Sequence, residues 1–262
     1  MTRGRPSGSP ARGCSPRVST TRISARCSPS LRALLDEREE RGDATINLPG
    51  ADELAPWRRV VDLGQTLAHA LEHAHRRGLV HRDVQPANVV LRGDGRPVLL
   101  DFGLARALDD DEARLTRSLD LVGSPAYMAP EQADPGGRTA DERTDVHGLA
   151  VTLYECLTGE LPRSGSTRDG LLEQIAREPA TPLRRHAPHL PRDLEAVLAV
   201  ALESSPDRRY ETAEAFSEDL GRVLAGRPVE AVRPGPIERG RRRVLRHPVA
   251  GAHIAAHAGG QG

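Results

Sequence analysis

The stretch from His81 to Gly103 constrains this 262-residue chain more than any other. His81-Arg82-Asp83 opens a short polar loop, Asn88 follows Asp83 by five residues, and Asp101-Phe102-Gly103 closes the next apolar run. A five-residue step lets one short loop aim Asp83 and Asn88 into the same cleft. Between Asn88 and Asp101 lie Val89-Val90-Leu91, then Gly93-Asp94-Gly95, then Val98-Leu99-Leu100. This is the pattern of two short strands about a tight turn, and a hairpin there predicts Asp101 beside the first loop. Two carboxylates and a carboxamide would then share one cleft.

Further segments follow in a fixed order. Ser124-Pro125-Ala126-Tyr127-Met128-Ala129-Pro130-Glu131 comes first, then Asp145-Val146-His147-Gly148-Leu149-Ala150-Val151, then Pro206-Asp207-Arg208-Arg209-Tyr210. The set resembles the catalytic loop, metal loop, end of the activation segment, central helix and closing turn of a bacterial, eukaryotic-like serine/threonine protein kinase. The resemblance covers about residues 30 to 228. It implies Asp83 as the base that accepts the proton of an incoming hydroxyl, with Gln85 and Asn88 beside it. Asn88 and Asp101 would hold Mg2+ against the phosphates of ATP. His81, Arg82, Phe102, Gly103, Ser124 and Asp145 take structural or regulatory roles, and Glu131 is expected to pair with Arg209.

The implied fold class is α+β: a mainly helical kinase large lobe with a small hairpin at the catalytic and metal loops, and a small lobe largely absent. A kinase small lobe carries a Gly-rich loop and a strand lysine that grips the phosphates. Residues 1–80 contain no Gly-x-Gly-x-x-Gly, and all 37 Lys+Arg residues of the chain are arginine. Arginine's planar fork is a poor substitute for a compact ammonium. The expected division is a leader over 1–29, a partial kinase domain over 30–226 and a basic tail over 227–262. Arg, Ser, Pro and Gly dominate the leader, which has no acidic residue, so it is expected to be disordered.

Ser30 to Glu37 resembles the short helix that begins a kinase large lobe. Val60, Leu63, Leu67, Leu71 and Ala74 recur at helical spacing before Gly78, which predicts a long helix leading into the catalytic loop. His69 and His73 lie four apart on it, a spacing that suits a metal but more often marks an exposed or core-edge face. Asp109-Asp110-Asp111-Glu112 reads as a solvated loop face. Arg82 would meet a phosphate if Thr116, Ser118 or Ser124 were phosphorylated.

Two departures bear on catalysis. Gln85 stands where serine/threonine kinases usually carry a lysine that stabilises charge on the transferred phosphate, and Ser124 stands for the usual threonine. Four readings therefore compete. The chain is a kinase using Mg2+ and ATP, a pseudokinase-like binding module, a truncated product without function, or a small-molecule phosphotransferase of the aminoglycoside type. The last shares the Asp83-to-Asn88 spacing but lacks an Ala-Pro-Glu segment and an Arg209-type anchor.

A formal net charge of zero and 2% aromatic residues argue against a nucleic-acid partner. The expected partners are a protein substrate and a polypeptide that supplies the small lobe. Three cysteines, with Cys156 in an apolar helix, read as reduced thiols of a cytoplasmic protein. Arg239, Arg241, Arg242, Arg243 and Arg246 form a basic run of the kind that precedes a membrane anchor. Pro248 to Ala258 after it is too short and polar to span a bilayer, so membrane association is expected only through a longer anchor.

Overall fold

A computed structural model describes residues 29–42, 46, 48, 55–102, 106–107, 125–133, 139–165 and 167–231. The leader before Pro29, Gly103, residues 108–124 and the tail beyond Ala231 lie outside the described residues.

Helix α1 (Leu31–Arg41) starts where Ser30 accepts a hydrogen bond from the Ala33 N–H through its hydroxyl, 3.2 Å. Helix α2 (Pro56–His75) buries the predicted stripe of Val60, Leu63, Leu67, Leu71 and Ala74, and packs along α8 (Ala213–Ala225) and α4 (Glu142–Thr158). Helix α4 is buried from Thr144 to Leu157 without a solvent face, the mark of a helix enclosed by others. Asp141 caps its first turn. Three shorter helices, α5 (Arg168–Arg177), α6 (Leu183–His186) and α7 (Arg192–Ala201), complete the helical layer. A one-turn helix, α3 (Pro130–Ala133), precedes α4.

Strands are few. β1 (Leu79–Val80) pairs antiparallel with β4 (Arg106–Ala107), and β2 (Val89–Leu91) pairs antiparallel with β3 (Pro97–Leu99). The hairpin register sets Val89 opposite Leu99 and Leu91 opposite Pro97. Gly95 takes φ +83° in the turn, where a Cβ would be strained. The second strand lies one residue earlier than the apolar run predicts. Leu100 keeps one ladder bond, its N–H donating to the Asn88 carbonyl, 2.8 Å, but its own carbonyl accepts from His81 Nε2, 2.8 Å, and the Asn88 N–H turns to the Gln85 carbonyl.

The core is one cluster drawn from α1, α2, α4, α6, α7, α8 and the hairpin. The His81–Asn88 loop lies directly on α4: a Cβ at Gly148 would approach the Val84 carbonyl oxygen to 3.0 Å. After α8 the chain turns back, and the buried Asp219 carboxylate accepts from the N–H groups of Glu230 and Ala231, both 2.9 Å, and from the Tyr210 hydroxyl, 2.8 Å. The lobe therefore holds the chain as far as Ala231.

Candidate active site

The loop from His81 to Asn88 is shaped from beneath by Asp145, in the first turn of α4. This buried carboxylate accepts from the backbone N–H of His81, 2.8 Å, from that of Arg82, 2.7 Å, and from His75 Nε2, 2.7 Å. Three donors and the positive end of the α4 dipole compensate the buried charge. Arg82 is drawn into a positive-φ conformation, +67°, that a Cβ disfavours.

His81 is wholly buried and joins the two loops. Its Nε2 donates to the Leu100 carbonyl, its Nδ1 accepts from the Asp83 N–H at 3.3 Å, and its ring meets Phe102 edge-on at 4.6 Å. One neutral tautomer, with the proton on Nε2, satisfies both polar contacts.

Asp83 faces two carboxamides. Asn88 Nδ2 donates to its Oδ2, 2.8 Å, and to its backbone carbonyl, 2.9 Å. Gln85 Nε2 lies 2.8 Å from each of its two carboxylate oxygens. Asn88 sits on a single 3-10 turn, Pro86–Asn88, that aims its side chain back at Asp83. With its nitrogen committed there, Oδ1 is what Asn88 offers a cation. Asp101 follows Leu100, is exposed and has φ +62°, so its carboxylate stands at the edge of the same loop pair. Oxygen donors from a carboxylate and a carboxamide suit Mg2+, which takes one or two protein ligands and completes its shell with phosphate and water. The donor set thus fits a magnesium–nucleotide complex on the metal side. It contains no ammonium for the phosphate side.

Glu131 and Arg209 meet across 78 residues as a two-pronged pair, Nη1 to Oε1 and Nη2 to Oε2, both 2.7 Å. Their side chains are 5% and 0% exposed. Thr144 Oγ1 adds a donor to Glu131 at 2.9 Å, and the remaining Arg209 donors reach the carbonyls of Glu203, Arg143 and Ser204. Burial alone would push the Glu131 carboxyl up, but the hydrogen bonds and charge of Arg209 outweigh it and hold it below the ordinary carboxylate range.

Of the predicted site residues, the structure gathers His81, Arg82, Asp83, Gln85, Asn88, Asp101 and Phe102 around the loop pair. It sets Asp145 beneath them and Glu131 with Arg209 at the neighbouring segment. Gly103 and Ser124 lie outside the described residues. His69 and His73 are exposed, and His69 Nε2 shares a hydrogen bond with Ser217 Oγ, 3.0 Å. Among the described residues no three of His, Cys, Asp or Glu cluster as metal ligands.

Three participants were not evident from sequence. His75 occupies the buried stripe of α2, one turn beyond Leu71, and a histidine at a core position calls for a polar partner. Glu155 interrupts the apolar run of α4 and takes Arg32 Nη2, 2.6 Å, and the Tyr127 hydroxyl, 2.6 Å, as its partners. Gln132 bridges the Ala-Pro-Glu segment and the catalytic loop.

The protein kinase domain family matches residues 46–220. The chain is 41% identical over 179 residues to the serine/threonine-protein kinase PknB of Mycolicibacterium smegmatis, an overlap covering 68% of this chain and 28% of that protein. It is 39% identical over 175 residues to PknB of Mycobacterium tuberculosis, covering 66% of this chain and 28% of that protein. The probable serine/threonine-protein kinase PknB of Bifidobacterium longum is 38% identical over 158 residues, covering 60% of this chain and 23% of that protein. The matched region thus spans about a quarter of the length of these relatives.

Proposed function

The chain belongs to the protein kinase family, and from that premise we propose that its folded lobe provides the base and the metal-holding side of a site transferring phosphate from Mg2+-bound ATP to a protein serine or threonine hydroxyl. Asp83 orients the incoming hydroxyl and accepts its proton. Asn88 Oδ1 and the Asp101 carboxylate would hold Mg2+, which would supply positive charge against the phosphates. His81 keeps the Asp83 loop and the Asp101 loop at a fixed spacing through its bonds to the Asp83 N–H and the Leu100 carbonyl.

The observation that carries this reading is the loop pair itself. Asp83 and Asn88 share a 2.8 Å hydrogen bond, and the Leu100 N–H, 2.8 Å from the Asn88 carbonyl, brings Asp101 to the same edge. Positioning and electrostatics account for most phosphoryl-transfer catalysis. Taken alone, these 262 residues lack a lysine for the phosphates. Their turnover therefore stays near background unless a small lobe is supplied, by a partner or by further sequence. The substrate is a protein. Among the described residues no helix is long and apolar enough to cross a membrane.

A second reading, a binding module without catalysis, draws on Gln85, whose amide engages both Asp83 oxygens where serine/threonine kinases usually carry lysine. The two separate by experiment. Titration calorimetry with Mg2+ and ATP, and radiolabel transfer to a protein acceptor, are measured on the chain alone and on the chain fused to the small lobe of a relative. The kinase reading expects weak nucleotide binding alone, transfer from the fusion, and loss of that transfer in Asp83→Asn. A fusion that binds Mg2+ and ATP yet transfers nothing would favour the binding module.

A further inference from the structure

Gln132 belongs to none of the segments that carry the family likeness to chemistry, yet its carboxamide bonds in two directions at once. Its Oε1 accepts from the Ala129 N–H, 2.9 Å, the returning half of a capping box on the short helix α3. Its Nε2 donates to the carbonyl of Arg82, 2.8 Å, fifty residues away on the catalytic loop. Ordinary helix capping accounts for the first bond and not for the second.

The second bond falls on a strained peptide. Arg82 and Asp101 are the non-glycine residues with positive φ among the described residues. Arg82 is held there on its N–H side by Asp145 Oδ1 at 2.7 Å. The peptide that follows it carries the Asp83 N–H, whose contact with His81 Nδ1 is long, 3.3 Å. The carbonyl of that same peptide receives the shorter bond, from Gln132. A peptide plane beside a disfavoured φ relaxes by rotating unless both of its polar groups are occupied.

We propose that Gln132 is a positioning residue that clamps the Arg82–Asp83 peptide to the segment carrying Glu131, so that the aim of Asp83 is coupled to the docking of that segment on Arg209. The chemistry requires a carboxamide of this length, because one group must accept from Ala129 while donating to Arg82. Glutamate at 132 keeps the acceptor but sets a second oxygen against the Arg82 carbonyl. Methionine keeps the length and loses both bonds. The proposed activity enters only through the role given to Asp83; the clamp itself is a property of the folded chain.

Amide hydrogen exchange by NMR on the full chain tests it, with the melting midpoint read from Trp57 fluorescence. In Gln132→Glu the Asp83 amide should exchange about tenfold faster, the equilibrium weight of roughly one hydrogen bond, while Ala129 keeps its parental rate. In Gln132→Met both amides should speed up. The Leu149 amide in α4 should hold its rate in both variants, and the midpoint should move little. Parental exchange at Asp83 in Gln132→Glu would overturn the proposal, and so would a matching acceleration at Leu149, which would mark general loosening. Absence of phosphoryl transfer would remove the proposed function and leave these rates as they are, so the two fail separately.

Discussion

His75 Nε2 donates to Asp145 Oδ2 at 2.7 Å, and both side chains are almost completely buried, 1% and 0% exposed. The same Asp145 oxygen accepts from the His81 N–H at 2.8 Å, so the end of α2, the start of α4 and the catalytic loop converge on one atom. Losing one of three donors to a buried carboxylate leaves part of its desolvation uncompensated. We expect His75→Phe to cost on the order of 1–3 kcal/mol, read as a lower urea midpoint at unchanged slope. An unaltered midpoint would show that Asp145 is satisfied without the histidine.

Glu131 and Arg209 lead to a second expectation. Removing either partner strands the other as a buried charge, which costs on the order of 3–5 kcal/mol. Glu131→Ala and Arg209→Ala should each destabilise by about that much, and the double variant by clearly less than the sum. Additive losses would contradict the observed geometry. The pair also sets an acid limit. The Glu131 carboxyl titrates below its ordinary value of 4.5 in the folded lobe, so its contribution is complete above that pH and is lost as pH falls through the lower folded value. Stability of Glu131→Gln should therefore fall less steeply below about pH 4 than that of the parent.

His147 acts in a milder pH range. Its ring is wholly buried in α4, and burial together with the charges of Arg209 and Arg163 holds its pKa well below the ordinary 6.5. Arg163 Nη1 lies 3.3 Å from its Nε2, which a neutral ring can accept. The unfolded chain takes up a proton near pH 6.5 and the folded lobe does not, so acid favours unfolding. Stability should be flat above that pH and fall below it by up to about 1.4 kcal/mol per pH unit. His147→Gln keeps an acceptor for Arg163 without titrating, and its melting midpoint should drop less between pH 7 and pH 5.5. Equal drops in the two proteins would mean that His147 is not the group involved.

Periodicity made α2 legible, because burial on one face repeats with the turn of the helix, and Gly93-Asp94-Gly95 announced the hairpin through its conformational freedom. The meeting of Asp83, Gln85 and Asn88 was legible because one short loop carries all three. The contacts His75–Asp145, Arg32–Glu155 and Gln132–Arg82 were not, since each joins elements 50 to 123 residues apart and depends on how helices cross. A polar residue inside an apolar stripe was the available signal for His75 and Glu155. It indicates that a partner must exist without naming it. The strand boundary at Leu99 was missed for a related reason: the His81 ring, distant in sequence, captures the next carbonyl.

Gln85 provides the sharpest test of the catalytic reading. Its amide lies 2.8 Å from both oxygens of Asp83, so it orients the carboxylate proposed as the base but carries no positive charge. A lysine there would place an ammonium where negative charge develops on the transferred group, and donors aimed at developing charge in a shielded site are worth much more than in water. We expect Gln85→Lys, in the chain fused to a small lobe, to raise kcat for protein phosphorylation by at least about tenfold, with little change in KM for ATP. Gln85→Leu, which removes the amide from Asp83 and adds no charge while Asn88 still holds Oδ2, should not reproduce the gain. If lysine leaves kcat unchanged or lowers it, the amide at position 85 is matched to this site, and the charge must be stabilised by groups other than the one at that position.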